Sequence, residues 1–359
     1  PTAATRSRTF MWVGQIKKNN NLMYTDESLL PLRRLVGIDS PSGFTLQAEN
    51  YIFDLLVSHG YTPRRTHKGA VVCQLGTKAP TLALAAHLDT LGAVVSQILP
   101  DGRLRFSPVG GLLLTGFEGA YCRIHTLAGG VYDATLLLDN PASHANKNVE
   151  TAQRSTYNMH LRLDEEAGSE KAVRALGIDV GDFVCFEPHY REYPSGYIKS
   201  RFMDNKAGCF VLTELARRLA GKDLAVELFF SNAEEIGHGG TCGYSPSVRD
   251  LLVVDMGVVG DGLQGRETAC SICAKDSTGA YDYELRRRLV ELARAHNIDA
   301  VQDVYPFYGS DGSAALRAGK DYRVALVGMG VSASHGVERT HKRGIEQCIA
   351  LCEAFIMNH

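Results

Sequence analysis

The sequence predicts an α/β fold: a mixed central sheet with helices on both faces, and a small β domain inserted into it. Three observations carry that reading. Short apolar runs such as TLALAA, LAVELFF and YRVALVGM, the length of buried strands, alternate along the chain with longer amphipathic segments at helical spacing. From about Leu99 to Tyr193 the alternation breaks, and stretches such as RLRFSPV and ATLLL are separated by Gly, Pro, Asn and Asp. The composition, 45% hydrophobic and 22% charged over 359 residues, is that of a folded globular chain with a sizeable core.

Taken in order, residues 1–22 are polar, carry Arg and Asn clusters without period, and read as a tail. DESLLPLRRLVGI predicts a first helix that stops before SPSG, and LQAENYIFDLLVSHG a second ending at Gly60. GAVVCQL and TLALAA are strands, the second leading into His87. Residues 99–193 are expected to form a barrel-like β insertion, suited to oligomer contacts and substrate access, between 23–98 and 194–359 of one α/β domain that carries the site. In the second half KAGCFVLTELARRLAG, AYDYELRRRLVELARAHN and HKRGIEQCIALCEAFIM are helical, and LAVELFFS, DLLVVDMG and YRVALVGM are strands. Active sites in such sheets collect where strands end.

Several function classes are disfavoured at once. The net charge of -2 comes from 38 Lys and Arg against 40 Asp and Glu, with no long block of one sign, so nucleic acid is not an expected partner. No apolar run approaches the roughly 20 residues of a membrane span, and the first residues lack the apolar core of a signal peptide, so a cytoplasmic protein without membrane contact is expected. Nine cysteines, an odd number scattered through apolar segments, read as reduced buried thiols. Cys270 and Cys273 are read as two side chains of a buried strand.

Five polar clusters sit where apolar strands stop. In AAHLDTLG, His87 and Asp89 point to the same side of an extended segment, so the carboxylate can hold the imidazole. In SRFMDNKAG, Asp204 precedes a helix and is read either as its N-cap or as a ligand. FFSNAEEIGHGG delivers two adjacent carboxylates, Glu234 and Glu235, into a glycine turn, where packing would make them repel unless a cation compensates. Asp255 ends the apolar run of DLLVVDMG, a place where Asp needs a partner. SHGVERTHKRG supplies His335 and His341 before the last helix. Imidazoles and carboxylates without Cys suit two divalent ions sharing a carboxylate, with zinc first and cobalt or manganese as alternatives.

The order His-x-Asp, Asp-Asn-Lys-Ala-Gly, Glu-Glu, Asp and a late His resembles the M42 family of metallo-aminopeptidases, which includes the glutamyl and tetrahedral aminopeptidases. The resemblance runs from about residue 26 and includes the β insertion. It implies that His87 and Asp255 bind one ion, Glu235 and His341 the other, and Asp204 both. It makes Glu234 the general base and Asp89 the acid that orients His87. Glu338 stands three residues before His341, where the family usually carries Arg, and Arg339 follows it. The loop YPFYGSDGSAAL resembles the substrate side of the family's site, so Asp311 is a candidate for reading the substrate, with a glycine turn that caps the helix SAALRAG as the alternative. His335 and Arg339, in SHGVERTH, are further substrate candidates. A narrower resemblance is to a subgroup linked with synthesis of an osmoprotectant dipeptide. The family further implies homo-oligomers, often dodecamers, acting on small peptides. Two other readings stay open: hydrolysis of N-acyl amino acids at the same site, and a non-catalytic oligomeric binding protein.

Overall fold

The computed structural model describes residues 25–359, so the expected tail at 1–22 lies outside the described residues. Its largest element is a mixed sheet of twelve strands. Four central strands, Val226–Ser231, Leu82–His87, Asp250–Val254 and Arg323–Ser332, run parallel in that order. Strand Val71–Gln74 adds antiparallel at one side, and Glu338–His341 and Tyr197–Ser200 extend the other.

The parallel strands are largely apolar because both faces are covered, which is why they read as runs instead of alternating stretches. The buried Glu227 inside one of them accepts from the Ser245 N–H and hydroxyl. In Leu82–His87 and its neighbours the alternate residues Leu84, Ala86, Leu228, Phe230, Leu252 and Val254 face one core. Helices Leu30–Val36, Leu46–Ser58, Met203–Arg218, Tyr283–Ala295 and Lys342–Met357 pack there. The intervening Ala83, Ala85, Phe229, Leu251 and Val253 face a second core. That face is closed by the short helix Asp311–Arg317 and by Tyr244, Tyr281 and Tyr305.

The insertion is a closed barrel of six antiparallel strands, with Gly92–Ile98 next to Leu104–Val109 and sealed against Phe183–Phe186 through Ala93 and Val184. Val95, Phe106, Ile124, Leu136 and Leu161 fill its own core. The expected boundaries need correction. The barrel opens at Gly92, not at Leu99, because the run GAVVSQI pairs within it and not with the large sheet. Its last strand ends at Phe186, while Arg191–Glu192 already belongs to the large sheet. Among the described residues no helix is long and apolar enough to cross a membrane.

Candidate metal centre and active site

Three neighbouring parallel strands deliver the polar groups. His87 ends its strand in register with Ser231, Glu234 and Glu235 follow Ser231 in the next turn, and Asp255 follows Val254. The cluster therefore lies at the carboxyl ends of the strands, where backbone stops pairing and side chains become free to converge. Asp204 arrives from the first turn of helix Met203–Arg218. The capping role read for it is not seen: Phe202 is the N-cap residue, and Asp204 and Asn205 have non-helical backbone. This lets the Asp204 carboxylate lie 3.1 Å from His87 Nε2 and 3.5 Å from His335 Nε2. Asp255 comes within 4.0 Å of His87 Nε2, and Glu235 within 3.8 Å of His335 Nε2.

Both imidazoles are oriented the same way. His87 Nδ1 donates to the Asp89 carbonyl at 2.9 Å, and His335 Nδ1 donates to the Gly111 carbonyl of the insertion at 3.0 Å. A carbonyl can only accept, so in each ring Nδ1 carries the hydrogen and Nε2 is turned to the carboxylates. Asp89, fully buried, accepts from the Glu234 N–H at 3.0 Å and the Glu235 N–H at 3.2 Å, and its carboxylate is 3.5 Å from His87 Nδ1. It thus fixes the glutamate pair against the histidine.

The late histidine of the cluster is His335, which corrects the expectation for His341. Strand Glu338–His341 carries His341 away to cap the last helix, where its Nδ1 accepts from the Arg343 N–H and its Nε2 donates to the Ser195 carbonyl, both at 2.9 Å. Both ring nitrogens are engaged there. Two substrate-side expectations also move. Arg339 makes a two-pronged ion pair with Glu267 at 2.7 and 2.9 Å and lies over the Tyr197 ring, outside the cavity. Asp311 is buried beneath the Glu234–Gly240 turn, where it accepts from the Ser231 hydroxyl, and does not reach the cavity wall. Glu338, read from the sequence only as a substitute for Arg, is a tie between segments: it accepts from the backbone N–H of Asp204 at 3.1 Å and of His335 at 3.0 Å.

The electrostatics show a shortage of positive charge. Burial and the Asp204 charge push the Asp255 carboxyl up to about 7, and burial, again with Asp204, pushes Glu338 up to about 8. Burial drives Glu234 and Glu235 well above the usual carboxylate range, with Asp204 adding to the effect on Glu235. Asp204 is held well below that range, against burial, by its hydrogen bonds to His335 and His87, and Asp89 is also lowered, against burial, by His87 and by its hydrogen bonds from the Ser42 hydroxyl and the Glu234 N–H. Two imidazoles cannot neutralise this many buried carboxylates, and a divalent cation would. The donor set fits one: His87, Asp204 and Asp255 each offer a ligand atom, all within 4.8 Å of one another. The Cys209 thiol adds no donor to this set, because it is directed at the His87 carbonyl. A second convergent group, Asp39, His125 and Cys185, fits poorly, since Arg123 already grips both Asp39 oxygens at 2.6 and 2.8 Å.

Beside the cluster opens a cavity of about 550 Å³, walled by Asp204, Glu234, Glu235, Asp255, Met256, Tyr308 and His335, with Leu113 of the insertion at its side. That volume suits a small-molecule or short-peptide substrate.

Against known proteins, a family model described as M42 glutamyl aminopeptidase matches residues 69–351. The chain is 40% identical over 333 residues to the aminopeptidase candidate YhfE of Bacillus subtilis (strain 168), covering 91% of this chain and 96% of that one. Aminopeptidase APDkam598 from the archaeon Desulfurococcus kamchatkensis superposes with a TM-score of 0.82 at 22% identity, over 92% of this chain and 95% of that chain. The Pyrococcus horikoshii TET1 peptidase, described as assembling into a tetrahedron or a large octahedral shell, superposes at 0.80 with 21% identity, over 92% and 99%.

Proposed function

This chain belongs to the M42 glutamyl aminopeptidase family, and from that premise we propose that it releases N-terminal residues from small peptides with two divalent ions. The observation that carries the reading is the buried convergence of His87, Asp204 and Asp255 beside a cavity that Glu234 also lines. His87 and Asp255 would hold one ion, Glu235 and His335 the other, and Asp204 both. Their oxygen and imidazole donors suit zinc, cobalt or manganese. When bound, such ions supply Lewis acidity that polarises a substrate carbonyl and makes water a stronger acid.

The chain's own groups supply the rest. Glu234 lines the cavity with its carboxylate 3.7 Å from His87 Nε2, close to the metal-ligating atoms without being needed as one of them. It takes the proton of the attacking water and passes it to the departing amine nitrogen as the C–N bond breaks. Asp89 holds the backbone of Glu234, so the base keeps its place through both transfers. Membership of the aminopeptidase family favours a free N-terminal amine over an N-acyl group. The barrel leaves Leu113, Tyr121, Leu127, Val131 and Tyr157 exposed, which supports assembly of several copies through the insertion, as in the TET1 relative.

Dialysis against a chelator and reloading with zinc, cobalt or manganese, assayed on aminoacyl anilides and on N-acetyl amino acids, tests the reading. Anilide hydrolysis should vanish and return with metal. Glu234→Gln should keep its metal while turnover falls by roughly two to four orders of magnitude. Full activity after chelation, or faster cleavage of N-acetyl substrates, would overturn the reading.

A further inference from the structure

Resting on the aminopeptidase reading, we infer that Arg317 binds a carboxylate of the substrate, which makes short anionic peptides the favoured substrate class. Arg317 is the last residue of helix Asp311–Arg317 and lines the same cavity as Glu234 and Glu235. That helix is firmly seated: Ser310 and Ser313 form a reciprocal cap at its start, and Ala315 is buried against the sheet. Six residues of helical rise set Arg317 about 9 Å along the axis from Asp311, which lies under the Glu234 turn. An extended di- or tripeptide spans about 7–11 Å. A substrate whose amino end meets the carboxylate cluster therefore has the length to reach Arg317.

The state of the guanidinium strengthens the case. The other charged groups on the cavity wall are Asp204, Glu234, Glu235, Asp255 and His335, and His335 is already placed between Asp204 and Glu235. Arg33, Arg105, Arg123, Arg323 and Arg339 each pair with a carboxylate, whereas Arg317 is exposed and has no hydrogen bond or ion pair among the described residues. An acid does stand close by, since Asp276 shares with Arg317 the wall of an adjoining cavity. Its carboxylate is committed elsewhere, taking the N–H and hydroxyl of Thr278, the N–H of Gly279 and the hydroxyl of Tyr281. A permanently charged fork of five donors is thus presented, unpaired, to the cavity. Its natural complement is a carboxylate.

That carboxylate has two sources: the C-terminus of a di- or tripeptide, or an acidic side chain on the N-terminal residue. Metal-loaded wild type, Arg317→Gln and Arg317→Lys are compared by kcat/KM on Ala-Ala against Ala-Ala amide, and on Glu anilide against Gln anilide, with Leu anilide as reference. Arg317→Gln should lose about 10- to 100-fold more on one carboxylate substrate than on its neutral counterpart, the size of a charge-assisted hydrogen bond. The loss should fall on KM more than on kcat, and Lys should restore part of it. Selective loss on Ala-Ala assigns the C-terminus, and selective loss on Glu anilide assigns the side chain. Equal losses within every pair overturn the inference alone. Failure of the wild type on all five substrates overturns the aminopeptidase reading, and the inference with it.

Discussion

Replacing Asp89 by Asn leaves one acceptor oxygen where three donors now use two. Oδ1 takes the Glu234 N–H at 3.0 Å, and Oδ2 takes the Glu235 N–H at 3.2 Å and the Ser42 hydroxyl at 2.5 Å. Whichever way the amide turns, its amino group faces a backbone N–H, and a buried donor is stranded. Losing a hydrogen bond to a charged acceptor costs about 1.5–3 kcal/mol. If about 2 kcal/mol of that falls on local opening of the glutamate turn, amide exchange there accelerates about 30-fold, at about 1.4 kcal/mol per tenfold. Displacement of Glu234 by about an ångström lowers kcat about a hundredfold. Hydrogen–deuterium exchange over residues 232–240, together with kcat on a neutral anilide, measures both. Exchange and turnover each within twofold of wild type would refute the claim that Asp89 holds the pair.

Other outcomes follow from the same geometry. A Cβ at Gly239 would lie 2.0 Å from Asp311 Oδ1 and 3.0 Å from Glu234 Cα, so Gly239→Ala should cost about a hundredfold in kcat/KM. Gly168→Ala, with open space around its Cβ, should not, and equal effects in the two variants would contradict the packing argument. Asp250 is held below the usual carboxylate range, against burial, by Arg323 and His359. Its folded pKa is the lower one, so its stabilisation is present above about pH 4 and fades as pH falls through the folded value. Asp250→Asn should therefore unfold earlier than wild type at pH 7, with the gap closing towards pH 3. A gap that stays constant across that range would exclude the ion pair as its source.

The parallel strands were legible in the sequence because burial on both faces writes a largely apolar run, and the polar residues that end those runs became the site. Glu234–Glu235 stood out because two adjacent carboxylates packed after a buried strand repel unless a cation compensates. His335 and His341 were not separable in the same way. They are six residues apart in one polar segment, and only the short strand Glu338–His341, paired to Tyr197–Ser200, carries the second away from the cluster. Asp311 looked like a loop residue because its burial depends on the close approach of Gly239 and Gly240, a contact between distant segments. The barrel boundary was hidden for a similar reason. GAVVSQI has the same texture in either domain, and its partner Phe183–Phe186 lies some ninety residues on. The tie made by Glu338 leaves no mark in the sequence, because its two backbone donors belong to segments that meet only in the fold.

Metal content separates the two histidines. Metal-loaded wild type, His335→Ala and His341→Asn, the last keeping a residue suited to cap the final helix, are dialysed against buffer and analysed for zinc, cobalt and manganese. Two ions per chain should remain in the wild type and in His341→Asn, and one should be lost from His335→Ala. Loss of an ion from His341→Asn with both retained in His335→Ala would contradict the assignment of the site.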